Sequence, residues 1–534
     1  MPCSAPCSAV LLAAQCPLLR GASHCAARYG AGMAPRTLAS VLVLAAAAAA
    51  QRGPVPLDEP AVQRALAALL AEPLLADARI GVVVVRGSET APVVSHDGHK
   101  GFLPASNMKL VSGAVALATL GTDFRWTTRV QSAAALSDGV LQGDLLLVGD
   151  GDPSLGGRPA ADPFEPMRDL ARQLGEAGVK RIGGRVVGVD DCQADEHIGR
   201  GWQWDYLGDD YAAQFGGLCF AENSATLFVS GTEQGSAPLL RVEPDIRYVL
   251  GRADLTCGPA DAKAALDVTR QPLTNSFLVR GALPAGAPEQ RFRLSVENPT
   301  RYAAQGLAGA LQRAGVQTGA AVDGDDVGVP AQPWRELAQW QSRPLRELMA
   351  PMMKDSQNLY AEQFARTAAR VAGSNGSRAA TEAHVREVLA RLGVDSKGMV
   401  LADQSGLSRR NLVQPRQLTA LLQAVWSAPF RDAYFDALPV AGVDGTLRGR
   451  LRESAAKGRI RAKTGTIDMV SALSGVLYPP DPATPPVFFS VVLNHYTCTS
   501  AEARGAMDRF LDALALAAGW QPEPPAAAPR SSGG

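Results

Sequence analysis

Ser106 and Lys109 stand three residues apart in "FLPASNMKLVSGAVALATLG". On a helix such positions share a face, so a neutral amine at 109 can take the proton of the hydroxyl at 106, the pairing that activates a serine nucleophile. The spacing alone is weak. Ser454 and Lys457 in "ESAAKG" repeat it, in a Gly- and charge-rich stretch with no apolar helix after it, and read as a surface coincidence. Two later stretches add groups of matching chemistry: "KDSQNLYAE" offers Ser356 and Asn358, and "RAKTGTIDM" offers Lys463, Thr464, Gly465 and Thr466. A free lysine has a pKa of about 10.4 and is charged near neutrality, so Lys109 can act as a base only if burial and a nearby cation remove its proton. Lys463 is the candidate cation. A Ser-His-Asp arrangement is disfavoured, because no Gly-x-Ser-x-Gly elbow occurs and the 6 histidines sit in contexts such as "SHDGHK".

These groups need elements to hold them. "AVQRALAALLAEP" has helical spacing, and "ARIGVVVVRG" and "APVVSHDG" read as two short strands joined by a turn, ahead of the helix that carries Ser106. Near the other end, "KTGTIDMVSALSGVLYP" and "PVFFSVVLNHY" are strand-like and "AEARGAMDRFLDALALAAGW" is a helix suited to packing on a sheet. The two ends therefore read as halves of one α/β unit. Between them, "LARQLGEAGVKRIGG" (170–184) and "LAGALQRAGVQTGAA" (307–321) form a weak repeat, each a helix ending at Gly before a strand. The region from about 212 to 300 is rich in β-branched residues with Gly and Pro turns, and "PAQPWRELAQWQSRP" reads as a linker back to the first unit.

The ordered set Ser-x-x-Lys, Ser-x-Asn, Lys-Thr-Gly is the signature of penicillin-binding proteins and serine β-lactamases. The chain resembles the low-molecular-mass class C penicillin-binding proteins, the D-alanyl-D-alanine carboxypeptidase/endopeptidase family, which carries extra domains between the first two motifs; here 356 − 106 = 250 residues separate them. "LLLVGDGDPSLGG", "GWQWDYLGDDYAAQ", "ADQSGLSRRNLVQP" and "LPVAGVDGTLRGR" extend the resemblance from about residue 55 to 515. It implies an α/β (α+β) penicillin-binding, β-lactamase-like domain, with an antiparallel sheet flanked by helices, built from 52–135 and 335–520. An inserted α/β domain (136–211 and 301–334) interrupts it and itself carries a small β-rich domain (212–300).

The resemblance also implies roles. Ser106 attacks the carbonyl of the penultimate D-alanine with neutral Lys109 as base, Ser356 relays the proton to the leaving amine, and Asn358 orients Lys109 and the peptide amide. Lys463, Thr464 and Thr466 bind the terminal carboxylate beside Gly465, and the N–H groups of Ser106 and Thr466 form an oxyanion hole. Arg409 and Asp205 are the candidates for the charged end of a diaminopimelic side chain. The positions after "GWQW" vary within the family and are filled here by Asp205, Tyr206 and Asp209 to Tyr211. No cofactor is implied. The partners implied are peptidoglycan peptides with D-Ala-D-Ala termini and cross-links, β-lactams as inhibitors, and peripheral association with membrane or wall. Two other readings are a β-lactamase or esterase, for which no deacylating glutamate can be named, and an inert wall-binding scaffold.

Composition bounds the rest. A chain of 534 residues with 46% apolar and 19% charged residues exceeds one core and suggests two or three domains. Balanced charge, 52 basic against 52 acidic residues, provides no basic field for nucleic acid. From Met33, "MAPRTLASVLVLAAAAAAQRG" reads as a secretory signal cleaved near Ala50 or Gln51, with residues 1–32 ahead of the true start. Export to the periplasm is the expectation. Loss of residues 1–50 removes Arg20, Arg28 and Arg36 and leaves a slightly acidic 49 − 52. Cys192, Cys219, Cys257 and Cys498 remain, an even number that predicts one or two disulfides in an oxidising compartment. No Cys-x-x-Cys or His-Glu-x-x-His supports zinc, and Asp150 and Asp152 in "VGDGDPS" read as a turn rather than a calcium loop. Trp202 and Trp204 fit a core or a ligand platform equally, and the Pro-, Ala- and Ser-rich tail 521–534 reads as disordered.

Overall fold

The run "RIGVVVVR" becomes the strand Arg79–Arg86, buried on both faces, as expected of a near-continuous apolar strand covered on each side. In the computed structural model, which describes residues 56–330 and 332–522, it lies inside a five-stranded sheet. The order is Ile460–Ile467, Val470–Leu477, Val487–Asn494, Arg79–Arg86, Val94–His96. All its pairings are antiparallel, and Arg79 faces Asn494 while Arg86 faces Val487, so the two chain ends share one sheet as predicted.

Helices cover both faces of this sheet. Glu59–Leu70 and Ser500–Ala517 bury Val62, Leu69, Phe510 and Leu514 against Val82, Val84, Phe489 and Val491. Thr499 and Glu502 form a capping box that starts the second of these helices, satisfying amides that would otherwise lack partners. The opposite face carries Met108–Leu120, Leu345–Lys354, Asn358–Val371 and Pro415–Trp426, joined in one apolar cluster with Val476 and Phe488. Met108–Leu120 is buried almost all round, the pattern of a central helix, and stops at Gly121, whose φ of +80° no helical residue shares.

The inserted segment builds a second five-stranded sheet in the order Ala321–Asp323, Val186–Val189, Leu145–Val148, Thr127–Ser132, Arg335–Gln341. Its last two strands lie in the stretches assigned from sequence to the first domain (52–135 and 335–520), and the expected linker is in fact the edge strand Arg335–Gln341, paired from Arg335↔Ser132 to Gln341↔Thr127. Only Ala338 of that strand is buried, which is why its polar residues resemble a linker. The internal repeat is borne out: helices Glu165–Glu176 and Pro299–Arg313 each end in a left-handed glycine, Gly178 and Gly315, and lead into strands that pair in parallel, Val186 against Ala321. Residues 224–295 add two three-stranded sheets whose Leu227 and Phe277 share a single apolar core with Leu147 and Tyr302.

The predicted disulfides are not formed: Cys192, Cys219, Cys257 and Cys498 are all free. Cys257 lies in the inserted core and Cys498 beside the terminal helix, while the Cys192 and Cys219 thiols face the carbonyls of Gly217 and Gly216. The signal segment and residues 523–534 of the tail lie outside the described residues.

Candidate active site

A short 3-10 turn, Ala105–Asn107, delivers Ser106 to the start of Met108–Leu120. Two glycines let other elements close on this turn. A Cβ at Gly406, with φ +85°, would stand 1.8 Å from the Ala105 carbonyl oxygen, and one at Gly465 would stand 2.7 Å from that of Pro104. No larger residue fits either place. The loop "DQSGLS" and the strand "KTGT" are thereby held against the serine.

Lys109 is fully buried and makes three hydrogen bonds: to Ser106 Oγ at 2.9 Å, Asn358 Oδ1 at 2.5 Å and the Ser405 carbonyl at 2.7 Å. Two of these acceptors cannot donate, so a neutral amine placed here gives its two N–H groups to Asn358 and Ser405 and turns its lone pair to Ser106. Burial pulls Lys109 down to about 7, against the opposing charges of Asp403 and Glu362. The shift thus comes from burial, and the strongest charges near Lys109 are anions rather than the expected cation. The repulsion between the two lysines registers on Lys463, which burial and the charge of Lys109 drive well below its ordinary value. Lys463 donates to Ser356 Oγ and to the Thr464 carbonyl, both at 2.9 Å.

Asn358 opens the helix Asn358–Val371, and its Nδ2 donates to the Tyr211 carbonyl at 2.7 Å, which fixes the amide with Oδ1 toward Lys109. Ser356 sits just ahead with φ +61°, a left-handed conformation unusual for a residue with a side chain. Between them Gln357 donates to Glu222 at 2.8 Å. Ser106, Ser356, Thr464 and Thr466 line one cleft of about 330 Å³ together with Thr446, Arg450 and Arg504. The five motif residues are therefore brought together, with Thr464 and Thr466 on the edge strand Ile460–Ile467.

Arg409 donates to the Asp468 carbonyl at 2.6 Å, just past the "KTGT" strand. Asp205 is exposed in the turn Trp204–Tyr206, and the Tyr206 hydroxyl, raised chiefly by burial, feels both Arg409 and Asp205. Trp202 and Trp204 part company. Trp202 is buried, edge-on to Phe215, with its N–H on Asp403 Oδ2 at 2.8 Å; Trp204 is 82% exposed. Asp152 accepts from the Ser154 amide and hydroxyl, a local turn as expected, whereas Asp150 accepts from the Thr127 amide and from Arg370 and ties its segment to a strand and a helix. Ser454 caps its own turn, accepting from the Ala456 amide.

Sequence reasoning missed Glu222, Glu362, Asp403, Ser405, Arg450 and Arg504. Asp403 and Ser405 lie in the quoted "ADQSGLSRRN" and Arg450 in "TLRGR", so their stretches were visible though their roles were not.

The sequence profile of the D-Ala-D-Ala carboxypeptidase 3 (S13) family matches residues 62–514. The chain belongs to that family. It is 36% identical over 448 residues to the D-alanyl-D-alanine carboxypeptidase of Actinomadura sp. (strain R39), covering 80% of each chain. It is 26% identical over 425 residues to D-alanyl-D-alanine carboxypeptidase DacB of Haemophilus influenzae, covering 76% of this chain and 84% of that one. The crystal structure of penicillin-binding protein 4 (dacB) from H. influenzae superposes with a TM-score of 0.72 at 25% identity, covering 85% of this chain and 98% of that one. The S13 chain described here is thus a hydrolase of the low-molecular-mass class C penicillin-binding type, with the mixed α/β fold expected from its motifs. Among its described residues no helix is long and apolar enough to cross a membrane.

Proposed function

We propose that this S13 carboxypeptidase removes terminal D-alanine from peptidoglycan stem peptides, and cleaves D,D-cross-links, through an acyl-enzyme on Ser106 that β-lactams trap. The observation that carries the reading is the triple coordination of Lys109 by Ser106, Asn358 and Ser405. Ser106 Oγ attacks the carbonyl carbon of the penultimate D-alanine as its proton passes to the amine of Lys109. The proton then passes from Lys109 through Ser356 to the leaving amine, which departs neutral and restores Lys109 as a base, and water later hydrolyses the ester.

Lys463 supports the substrate end. Burial and the charge of Lys109 weaken its hold on a proton. A carboxylate docking beside Thr464 and Thr466 opposes that shift and favours the charged form of Lys463. Arg450 and Arg504 line the same cleft and add positive charge toward that end. The N–H groups of Ser106 and Thr466 would hold the oxyanion, each donor worth roughly 3 to 4 kcal/mol. A D,D-cross-link presents the same D-alanyl carbonyl with a longer leaving group, so endopeptidase action uses the same groups. The substrate lies in the cell wall, which accords with an exported, periplasmic protein and with the signal segment read from Met33.

Labelled penicillin followed by mass spectrometry of the modified peptide tests the assignment. Label on Ser106, lost in Ser106→Ala together with release of D-alanine, is the expected result; label on another residue overturns it.

A further inference from the structure

The helix that begins with Asn358 carries Glu362 one turn later, on the same face. Glu362 is only 2% exposed, and its Oε1 accepts the amides of Gln404 and Ser405, both at 2.9 Å. The carbonyl of that same Ser405 accepts from Lys109 at 2.7 Å. A single residue therefore separates a buried carboxyl from the buried amine. Glu362 also borders a second cavity of about 270 Å³, lined among others by Glu196, Arg200, Arg366, Arg378 and Asp403, which shares no lining residue with the Ser106 cleft.

We propose that Glu362 is a positioning residue for the reaction: placed between the Ser405 peptide and this rear cavity, its carboxyl governs whether Lys109 carries a proton. The inference rests on the reading of Ser106 and Lys109 as nucleophile and base. The charged groups that face Glu362 are Asp403, Arg366 and Lys109. Burial pushes Glu362 up to about 7, Asp403 adds to the rise and Arg366 opposes it, while Lys109 is brought down to about 7. The two groups thus change charge over the same pH range. When Glu362 holds a proton, Lys109 loses an anionic neighbour and stays neutral, ready to receive the Ser106 proton. When Glu362 is ionised, the ammonium form of Lys109 is favoured, so a higher pH is needed to free the base. The rear cavity allows Glu362 to exchange its proton while substrate fills the front cleft.

The test is the pH dependence of acylation of the full chain by a fluorescent penicillin in Glu362→Gln, which keeps an acceptor oxygen for the two amides. With the anion gone, Lys109 deprotonates at lower pH, so the acid limb should move down by roughly one pH unit, the size expected for one buried neighbouring charge. KM for a D-Ala-D-Ala peptide should stay within about twofold, since Glu362 does not line the substrate cleft. Glu362→Asp, which restores an ionisable group, should move the limb back toward the wild type. A limb that stays in place in Glu362→Gln, whatever its height, overturns the proposal. In the wild type, infrared difference spectra should show a protonated carboxyl band that fades across the acid limb, and its absence would overturn the proposal even if both variants misfold. Failure to label Ser106 in the wild type would instead condemn the nucleophile assignment, so the two failures are distinguishable.

Discussion

Gln357 Nε2 donates to Glu222 Oε2 at 2.8 Å, tying the Ser356-x-Asn358 motif to the inserted segment. Glu222 is buried, and ion pairs from Arg158 and Arg293, each at 2.9 Å, converge on the same carboxylate. Burial alone would raise its pKa, yet Arg293 and Arg158 hold it below the ordinary glutamate value. The insertion therefore supplies part of the platform on which Ser356 and Asn358 stand.

Glu222→Gln should uncouple that platform. It leaves two arginines short of their anion, and breaking a buried ion pair in this way costs roughly 3 to 5 kcal/mol. Denaturant unfolding at neutral pH should show a loss of that order, and the surviving folded fraction should acylate more slowly because Gln357 is less firmly held. The stabilisation from Glu222 is present above its unfolded value of 4.5 and is lost as pH falls through its lower folded value, so the wild-type advantage should shrink in acid. An unchanged unfolding midpoint would rule out this role.

Ser356 separates chemistry from conformation. Its φ of +61° is costly for any residue with a Cβ and free for glycine. Ser356→Ala and Ser356→Gly both remove the hydroxyl that accepts from Lys463, so both should lose labelling by penicillin to a similar degree. Thermal melts should nevertheless place the glycine variant above the alanine variant by about 1 kcal/mol. Full labelling in either variant would show that the proton reaches the leaving group without Ser356.

Lys109 should leave a signature in stability as well as in rate. Its pKa falls from 10.5 in the unfolded chain to about 7 in the folded one, so between those values the unfolded state binds more protons and stability must rise with pH. Each such group adds a slope of about 1.36 kcal/mol per pH unit. Lys463 acts in the same direction. Lys109→Met, which fills the site with an unbranched apolar chain, should lower the slope measured by denaturant unfolding between pH 7 and 9 by about one proton's worth. An identical slope would mean that Lys109 is charged in the fold.

The motif residues were legible because their chemistry demands particular types at particular spacings, and they form two hydrogen-bonded groups, Ser106–Lys109–Asn358 and Ser356–Lys463. The paired chain ends were legible too, since apolar runs such as "RIGVVVVR" and "VFFSVVLN" can only be covered strands. Glu222 and Glu362 were not, because an acid in a helical or turn stretch ordinarily faces water and nothing local marks it as buried. Strand Arg335–Gln341 escaped notice for the converse reason, as pairing rather than packing holds it. The cysteines misled because parity carries no information about distance, and the fold sets Cys257 and Cys498 in different cores.

Arg409 and Asp205 are the proposed specificity pair. The Arg409 guanidinium is anchored by one N–H on the Asp468 carbonyl at 2.6 Å, which leaves most of its five donors for a ligand. Asp205 stands exposed in the turn next to Tyr206, whose hydroxyl feels both charges. An anion and a cation around one phenol suit the zwitterionic end of a diaminopimelic side chain, whose carboxylate and ammonium need one partner of each sign. Arg409→Ala should therefore raise KM for peptides that carry that side chain by about tenfold, in keeping with roughly 1.5 kcal/mol for a charge-assisted hydrogen bond. A bare D-Ala-D-Ala analogue lacks that side chain, so its KM should move little, and kcat should be preserved for both substrates because Arg409 does not line the Ser106 cleft. Equal rises for the two substrates would mean that Arg409 shapes the loop through Asp468 rather than meeting the side chain.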